Sequence, residues 1–328
     1  MLTTDKNSPA LATQKFRNPD FTAKGDERAT VSLTKLDTLW VNTGTLCNIT
    51  CENCYIFSSP TNDDLQYFTA TELQSLIDEI KTQKLATREI GFTGGEPFMN
   101  PQMNEMIKMA LSHGFEVLVL TNATQPLLRP NVKQELLKIK REFGDKLTLR
   151  VSLDHHSAEY HDKERGLGNF TKALEGIDWL SQNGFKLNIA ARSIWNEDET
   201  TARDAFAALF KARNYQIDAY SGAELVIFPE MDEQVDVPEI TTECWDILGL
   251  DPTDIMCASS RMVVHRKGED NMKIVPCTLI AFDEEFDMGT SLKQSLTANG
   301  GNFKGGAVKL NHQHCAKFCV LGGGSCSA

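Results

Sequence analysis

From Asp37 onward, short apolar runs alternate with longer amphipathic stretches, the pattern left by strand–helix units that build a parallel sheet. The apolar runs predict six strands: Thr38–Asn42, Glu89–Thr93, Glu116–Thr121, Thr148–Leu153, Lys186–Ala191 and Glu224–Phe228. Each of the first five is followed by apolar positions at helical spacing, which predicts helices near 70–83, 101–113, 131–143, 168–182 and 200–213. His113-Gly114 and Asn183-Gly184 fall where two of these helices must stop, a place that suits glycine's tolerance of left-handed backbone. Six consecutive units predict an α/β fold, a partial (βα)6 TIM-like barrel, with its chemistry at the C-terminal strand ends.

The flanks read differently. Residues 1–36 are polar, lack periodicity and predict a leader with one short strand. Past about residue 240 the alternation gives way to acidic turns, a hairpin-like stretch over Arg261–Cys277 and a glycine-rich end. Gly300-Gly301 and Gly305-Gly306 are expected to mark a flexible loop. Three parts follow: an N-terminal leader at 1–36, a core domain at 37–238 and a small cysteine-rich C-terminal domain at 239–328.

Composition narrows the chemistry. With 41% hydrophobic and 24% charged residues, and no apolar run near the roughly 20 residues that span a bilayer, the 328-residue chain reads as soluble. Its first residues carry no secretory signal, so a cytoplasmic location is expected. A net charge of -12 argues against coating nucleic acid, which needs a basic face. Nine cysteines in such a chain point to metal or redox chemistry rather than disulfides. Three of them lie within the eight residues Cys47–Cys54, five between Cys257 and Cys326, and Cys244 stands apart as a small buried hydrophobe.

Cys47-Asn-Ile-Thr-Cys51-Glu-Asn-Cys54 follows the first predicted strand. Three thiolates on a [4Fe–4S] cubane leave one iron open to an outside ligand, whereas a structural zinc site wants four closed ligands. The loop itself holds no fourth ligand, with Asp63 and Asp64 as the nearest acids beyond it, and a zinc site completed from elsewhere is the competing reading. Gly94-Gly95-Glu96-Pro97 follows the second predicted strand and, taken alone, reads as a plain turn.

Together, the CxxxCxxC loop and the GGEP turn resemble the defining motifs of the radical S-adenosylmethionine (SAM) superfamily over about residues 37–230. His161-Asp162-Lys163-Glu164-Arg165-Gly166 is similar to the HDxxRG segment of its peptide-modifying and sulfatase-maturing members. The resemblance implies that Cys47, Cys51 and Cys54 hold the SAM-binding cluster, and that Gly94, Gly95, Glu96 and Pro97 hold the methionyl amino group. It makes Asn122 and Ser152 candidates for the ribose or carboxylate of SAM, Asp154 and Arg165 candidates for supporting contacts, and Arg192 a candidate partner of the SAM carboxylate. Family loops carry an aromatic residue before the third cysteine, whereas this chain has Asn53 there and Tyr55 after it.

Cys257, Cys277, Cys315, Cys319 and Cys326 resemble the auxiliary-cluster region called twitch or SPASM. They suffice for one auxiliary [4Fe–4S] cluster, on Cys257, Cys277, Cys315 and Cys319 with Cys326 as substitute; His312 and His314 compete, and a zinc knot is the alternative. The expected function is reductive cleavage of SAM to a 5′-deoxyadenosyl radical that oxidises or rearranges a peptide, protein or small-molecule substrate, with a flavodoxin- or ferredoxin-type reductase as donor. No catalytic acid or base is assigned, and neither nucleic acid nor membrane is an expected partner. The short leader argues against a separate domain for recognising peptide leaders. A non-catalytic electron-transfer protein on the same scaffold and a zinc-braced hydrolase are the rival classes.

Overall fold

The computed structural model describes residues 14–195, 197–229 and 235–324. In chain order its strands are β1 (Thr30–Val31), β2 (Thr38–Asn42), β3 (Glu89–Thr93), β4 (Glu116–Thr121), β5 (Leu147–Ser152), β6 (Lys186–Arg192), β7 (Leu225–Phe228), β8 (Ser260–Val264), β9 (Lys273–Val275), β10 (Phe303–Lys304) and β11 (Ala307–Lys309). Six of them, β2 to β7, are parallel and successive neighbours, so the barrel is partial and open, as the sequence pattern predicts. Helices Ala70–Thr82, Met103–Ser112, Pro130–Phe143, Asn169–Gln182 and Glu199–Arg213 return the chain between them. Gly114 and Gly184 end two of those helices at φ +94° and +69°.

Local chemistry explains the boundaries. Thr69 caps helix 70–82 in a reciprocal box with Glu72, and Asp198 accepts the Thr201 amide at the start of helix 199–213. The apolar faces of these helices bury Leu73, Leu76, Ile77, Met106, Ile107, Leu136, Ile139 and Ile177 against strands that are themselves almost wholly apolar. Strands covered on both faces need no polar alternation, which is why β2 and β4 read as continuous hydrophobic runs.

The flanking parts are built into this body. β8 pairs in parallel with β2 through Thr38–Ser260 to Val41–Val263, and β9 returns antiparallel, so the sheet has eight strands in the order β7-β6-β5-β4-β3-β2-β8-β9. β1 joins β11 and β10 in a second, three-stranded antiparallel sheet. Buried Arg28 stitches the N-terminal segment down, donating to Glu239 at 2.6 Å and to the Leu310 carbonyl at 3.2 Å. Gly305-Gly306 is an ordered two-residue hairpin turn between β10 and β11, both residues at positive φ, so the expected flexible loop is replaced by a tight connection. Cys244 is half-buried rather than buried; it opens helix Cys244–Leu248, and its sulfur accepts from the Thr241 amide at 3.3 Å.

Candidate metal and cofactor site

The cysteine loop leaves β2 and is laid directly on the glycine turn that leaves β3. Gly95 N donates to Gly44 O at 2.8 Å and Glu96 N to Leu46 O at 3.1 Å, while Cys47 N reaches Ser59 O at 3.0 Å. This approach explains the two glycines. A Cβ on Gly95 would stand 2.3 Å from Leu46 O, and one on Gly94, whose φ is +137°, would stand 2.6 Å from Gly44 O.

Cys51 and Cys54 lie near enough to Cys47 to push its pKa up, and Cys54 does the same to Cys51. Burial is the larger cause and pushes Cys47 up to about 12 and Cys51 up to about 11. Each sulfur sits in a fixed setting: the Ser58 amide donates to Cys54 Sγ at 3.3 Å, and Asn122 Nδ2 lies 3.8 Å from Cys47 Sγ.

Beneath the loop Glu96 is 1% exposed. Its carboxylate accepts from the Phe98 amide at 3.1 Å, the Thr121 hydroxyl at 2.9 Å and the Asn122 amide at 2.8 Å. All three donors are neutral, so burial dominates and lifts its pKa to about 7, with Arg165 acting on it only weakly. A buried carboxylate placed beside bare glycine backbone, with no cation in contact among the described residues, is suited to receive an ammonium or amine.

The cleft above spans about 1060 Å³, counted with the solvent at its open mouth. Cys47, Cys51, Cys54, Gly94, Gly95, Asn122, Ser152, Asp154, Arg165 and Arg192 all line it, so residues from five strand ends meet at one place. Pro97 is buried behind them as the first residue of a short 3-10 turn. The same lining includes Ala190, Ala191, Phe228, Pro229, Leu279 and Phe318, none of which is titratable.

Two of the predicted polar residues are engaged within the protein. Arg165 grips Asp154 with two bonds of 2.6 and 2.8 Å; burial alone would depress its pKa, but Asp154 and Cys51 outweigh that and hold it up. Arg192 donates to Glu164 at 2.6 Å and to the Asn53 carbonyl at 3.3 Å, so in this structure it braces the cysteine loop.

Glu164, which the sequence reading quoted but gave no role, is the centre of that brace. Its carboxylate also accepts from Asn53 N at 3.0 Å and Asn53 Nδ2 at 2.7 Å, and its carbonyl accepts from Glu52 N at 2.9 Å. Asn53, standing where family loops carry an aromatic, is thus a hydrogen-bonding anchor between Cys51 and Cys54. Replacing Glu164 with alanine takes the carboxylate away from Arg192, which is partly buried, and from Asn53, which is exposed. We expect a loss of about 2 kcal/mol in denaturant unfolding, in the range for hydrogen bonds to a charged group, and faster removal of loop-bound iron by a chelator under anaerobic conditions.

The second cysteine group lies apart from the cavity lining. Cys257 and Cys277 flank the β8–β9 hairpin, and Cys315 opens a π-helical turn, Cys315–Leu321, that also carries Cys319. Cys257, Cys277 and Cys319 are buried; Cys315 lies close enough to Cys257 for the two thiols to interact. Cys326 lies outside the described residues. His312 and His314 adjoin this group and touch each other, with His312 Nδ1 accepting from His314 N at 3.1 Å. Asp63 is turned away from the triad, in an exposed pair with Lys267 at 2.7 Å.

A third cluster brings His155 and His156 against Glu197 at 3.4 and 3.1 Å. The Ser157 amide donates to His155 Nδ1 at 3.0 Å, which puts the neutral ring's proton on Nε2, facing Glu197. Hydrogen bonding accounts for this arrangement.

Three thiols on one loop at the rim of the cavity fit the open iron–sulfur class, which uses three protein thiolates, better than closed structural zinc sites, which want four ligands. Within that class the match is to the radical SAM superfamily, whose model covers residues 41–205, and the chain belongs to that superfamily. A [4Fe–4S] cluster and SAM are the cofactors of this family. Among curated proteins, the antilisterial bacteriocin subtilosin biosynthesis protein AlbA of Bacillus subtilis is 26% identical over 269 residues, 76% of this chain and 56% of that protein. The mycofactocin maturase MftC of Mycolicibacterium smegmatis is 30% identical over 166 residues, 50% of this chain and 38% of that protein. The chain therefore spans about half, or less, of the length of these relatives. Among solved structures, Streptococcus suis SuiB bound to S-adenosylmethionine superposes with a TM-score of 0.57 at 12% identity over 82% of this chain and 67% of that one. Native anSMEcpe with bound AdoMet gives 0.57 at 16% identity over 80% of each chain. These likenesses support the partial-barrel fold. No helix among the described residues is long and apolar enough to cross a membrane.

Proposed function

We propose that the chain is a SAM-cleaving radical enzyme that acts on a peptide or protein side chain. The observation that carries this reading is the contact between the three-cysteine loop and the GGEP turn, which places a buried, cation-seeking carboxylate beside three convergent thiols. When bound there, a reduced [4Fe–4S] cluster supplies the electron that cleaves the S–C5′ bond of SAM, yielding methionine and a 5′-deoxyadenosyl radical that takes a hydrogen atom from the substrate. The chain's own part is to bind, orient and keep water out. Cys47, Cys51 and Cys54 hold the cluster. Glu96 accepts from the SAM amino group, Gly94 and Gly95 let the ligand meet backbone, and Asn122 and Ser152 offer hydrogen bonds to its ribose or carboxylate. Asp154 and Arg165 fix the adjoining strand end, while Arg192 and Glu164 hold the loop in register.

The substrate enters against the wall of Ala190, Ala191, Phe228, Pro229, Leu279 and Phe318. An uncharged side chain suits that surface. A peptide is favoured over a small metabolite because relatives are named for bacteriocin biosynthesis and mycofactocin maturation. The C-terminal thiols hold one auxiliary [4Fe–4S] cluster, with Cys257, Cys277, Cys315 and Cys319 as ligands and Cys326 as an alternative. A flavodoxin- or ferredoxin-type protein supplies electrons in the cytoplasm, a compartment in keeping with eight free cysteines among the described residues.

Anaerobic reconstitution, iron and sulfide counting, and assay of 5′-deoxyadenosine after dithionite reduction test the reading. Nucleoside release that depends on SAM and rises with a peptide substrate is expected. Metal content that is zinc, or a cluster-loaded protein that never cleaves SAM, overturns it.

A further inference from the structure

We propose that Arg261 is a fixed counter-charge for the auxiliary cluster, placed to raise its reduction potential and make it an electron acceptor. The inference rests on the auxiliary-cluster reading above.

Arg261 sits on β8 and is 0% exposed. Its Nη1 donates to the carbonyls of Cys257 at 2.6 Å and Ser260 at 2.7 Å, and its Nη2 to that of Gly306 at 2.9 Å. Nε is buried without a partner. Every acceptor is a neutral carbonyl. Four other enclosed arginines have carboxylates: Arg28 has Glu239, Arg165 has Asp154, Arg192 has Glu164 and Arg266 has Asp287. Among the described residues Arg261 has none within ion-pair distance.

A guanidinium taken wholly out of water needs an anion nearby, because carbonyl dipoles replace its hydration only in part. The ionisable groups that act on Arg261 are Cys257 and Cys277. An arginine guanidinium keeps its proton inside proteins, so the side chain is a cation near neutral pH. Four cysteine thiolates on an oxidised [4Fe–4S] core give a net dianion, and one added electron, with no proton, gives a trianion. A cation beside the ligands stabilises both states and the trianion more, which raises the potential. The Gly305-Gly306 turn and the Cys257 carbonyl hold the guanidinium by bonds that do not depend on the cluster, so the charge is in place before the metal arrives. A higher potential suits this centre to receive the electron left when a substrate radical is oxidised.

The test is an EPR-monitored redox titration of the anaerobically reconstituted full chain, as wild type, Arg261→Lys and Arg261→Gln, with iron and sulfide counts and thermal melts. The Lys variant is expected to keep the wild-type potential at the auxiliary signal. The Gln variant is expected to make reduction of that signal at least tenfold less favourable, a fall of about 59 mV for a one-electron couple, while the signal of the SAM-binding cluster stays in place. A Gln variant that cannot hold the auxiliary cluster while the Lys variant does supports the same conclusion. If both variants melt earlier with the auxiliary potential unmoved, or both lose that cluster alike, Arg261 merely ties carbonyls together and the proposal is overturned. Wild type with iron for a single cluster removes the auxiliary reading and this inference with it; two clusters with an unmoved potential in the Gln variant remove the inference alone.

Discussion

Alanine at positions 47, 51 and 54 together is expected to reduce 5′-deoxyadenosine release to background and to lower iron and sulfide by about four atoms each per chain, the content of one cubane. The remaining iron should stay, because Cys257, Cys277 and Cys315 belong to a separate group that does not line the cavity. The fold should also survive. The loop's backbone is tied by Cys47 N to Ser59 O, Glu52 N to Glu164 O and Thr45 N to Leu65 O, and none of these bonds uses a sulfur. Far-UV circular dichroism and the denaturant midpoint of the metal-free proteins should therefore be close for variant and parent. Equal nucleoside release from the two proteins would refute the assignment of the triad.

The second large effect concerns Glu96. In the cofactor-free site its pKa stands near 7, above the ordinary value of 4.5, because burial penalises the carboxylate. For an acid whose folded pKa is raised, the stabilising contribution is full below the unfolded value and is lost as pH climbs through the folded one. Glu96 therefore weakens the SAM-free protein progressively between about pH 4.5 and 7, by about 3 kcal/mol once fully ionised. SAM binding draws on the ionised form, which accepts from the amino group. The thermal shift produced by SAM should accordingly grow from pH 5.5 to 7.5 in the wild type. In Glu96→Gln that growth should vanish, and SAM affinity at pH 7.5 should fall by about 10- to 100-fold for one lost charge-assisted bond. A Gln variant whose SAM-induced shift keeps the parental pH slope would show that another group titrates.

Much of this was legible in the linear chain because strand and loop chemistry are local. The six core strands fall within a residue or so of their expected bounds, since each is a short apolar run closed by polar residues. Cys47, Cys51, Cys54, Gly94, Gly95, Asn122, Ser152, Asp154, Arg165 and Arg192 converge because sites in such sheets collect at C-terminal strand ends. What escaped depends on remote partners. The hairpin around Arg261–Cys277 was expected, but its pairing with β2, more than two hundred residues away, leaves no local trace. Glu164 and Arg261 were given no role from the sequence; burial and hydrogen bonds supply one, Glu164 as the anchor of Asn53 and Arg261 as an arginine without a carboxylate in contact among the described residues. Arg192 was expected to face a ligand; the nearby Glu164 holds it, and nothing in the spacing of the two residues announces that bond. Gly305-Gly306 carries the same letters whether it forms a loose loop or a tight hairpin, and only the register of β10 and β11 decides.

The side-by-side run of β2 and β8 has one more consequence. Cys47 emerges beyond the C-terminal end of β2, whereas Cys257 enters just before the N-terminal end of its parallel neighbour β8. If each thiol group carries a cluster, the gap between the two centres is spanned by a hydrogen-bonded pair of parallel strands. Traffic of electrons across that gap would then be set when the sheet forms, and substrate could alter its direction but not its span.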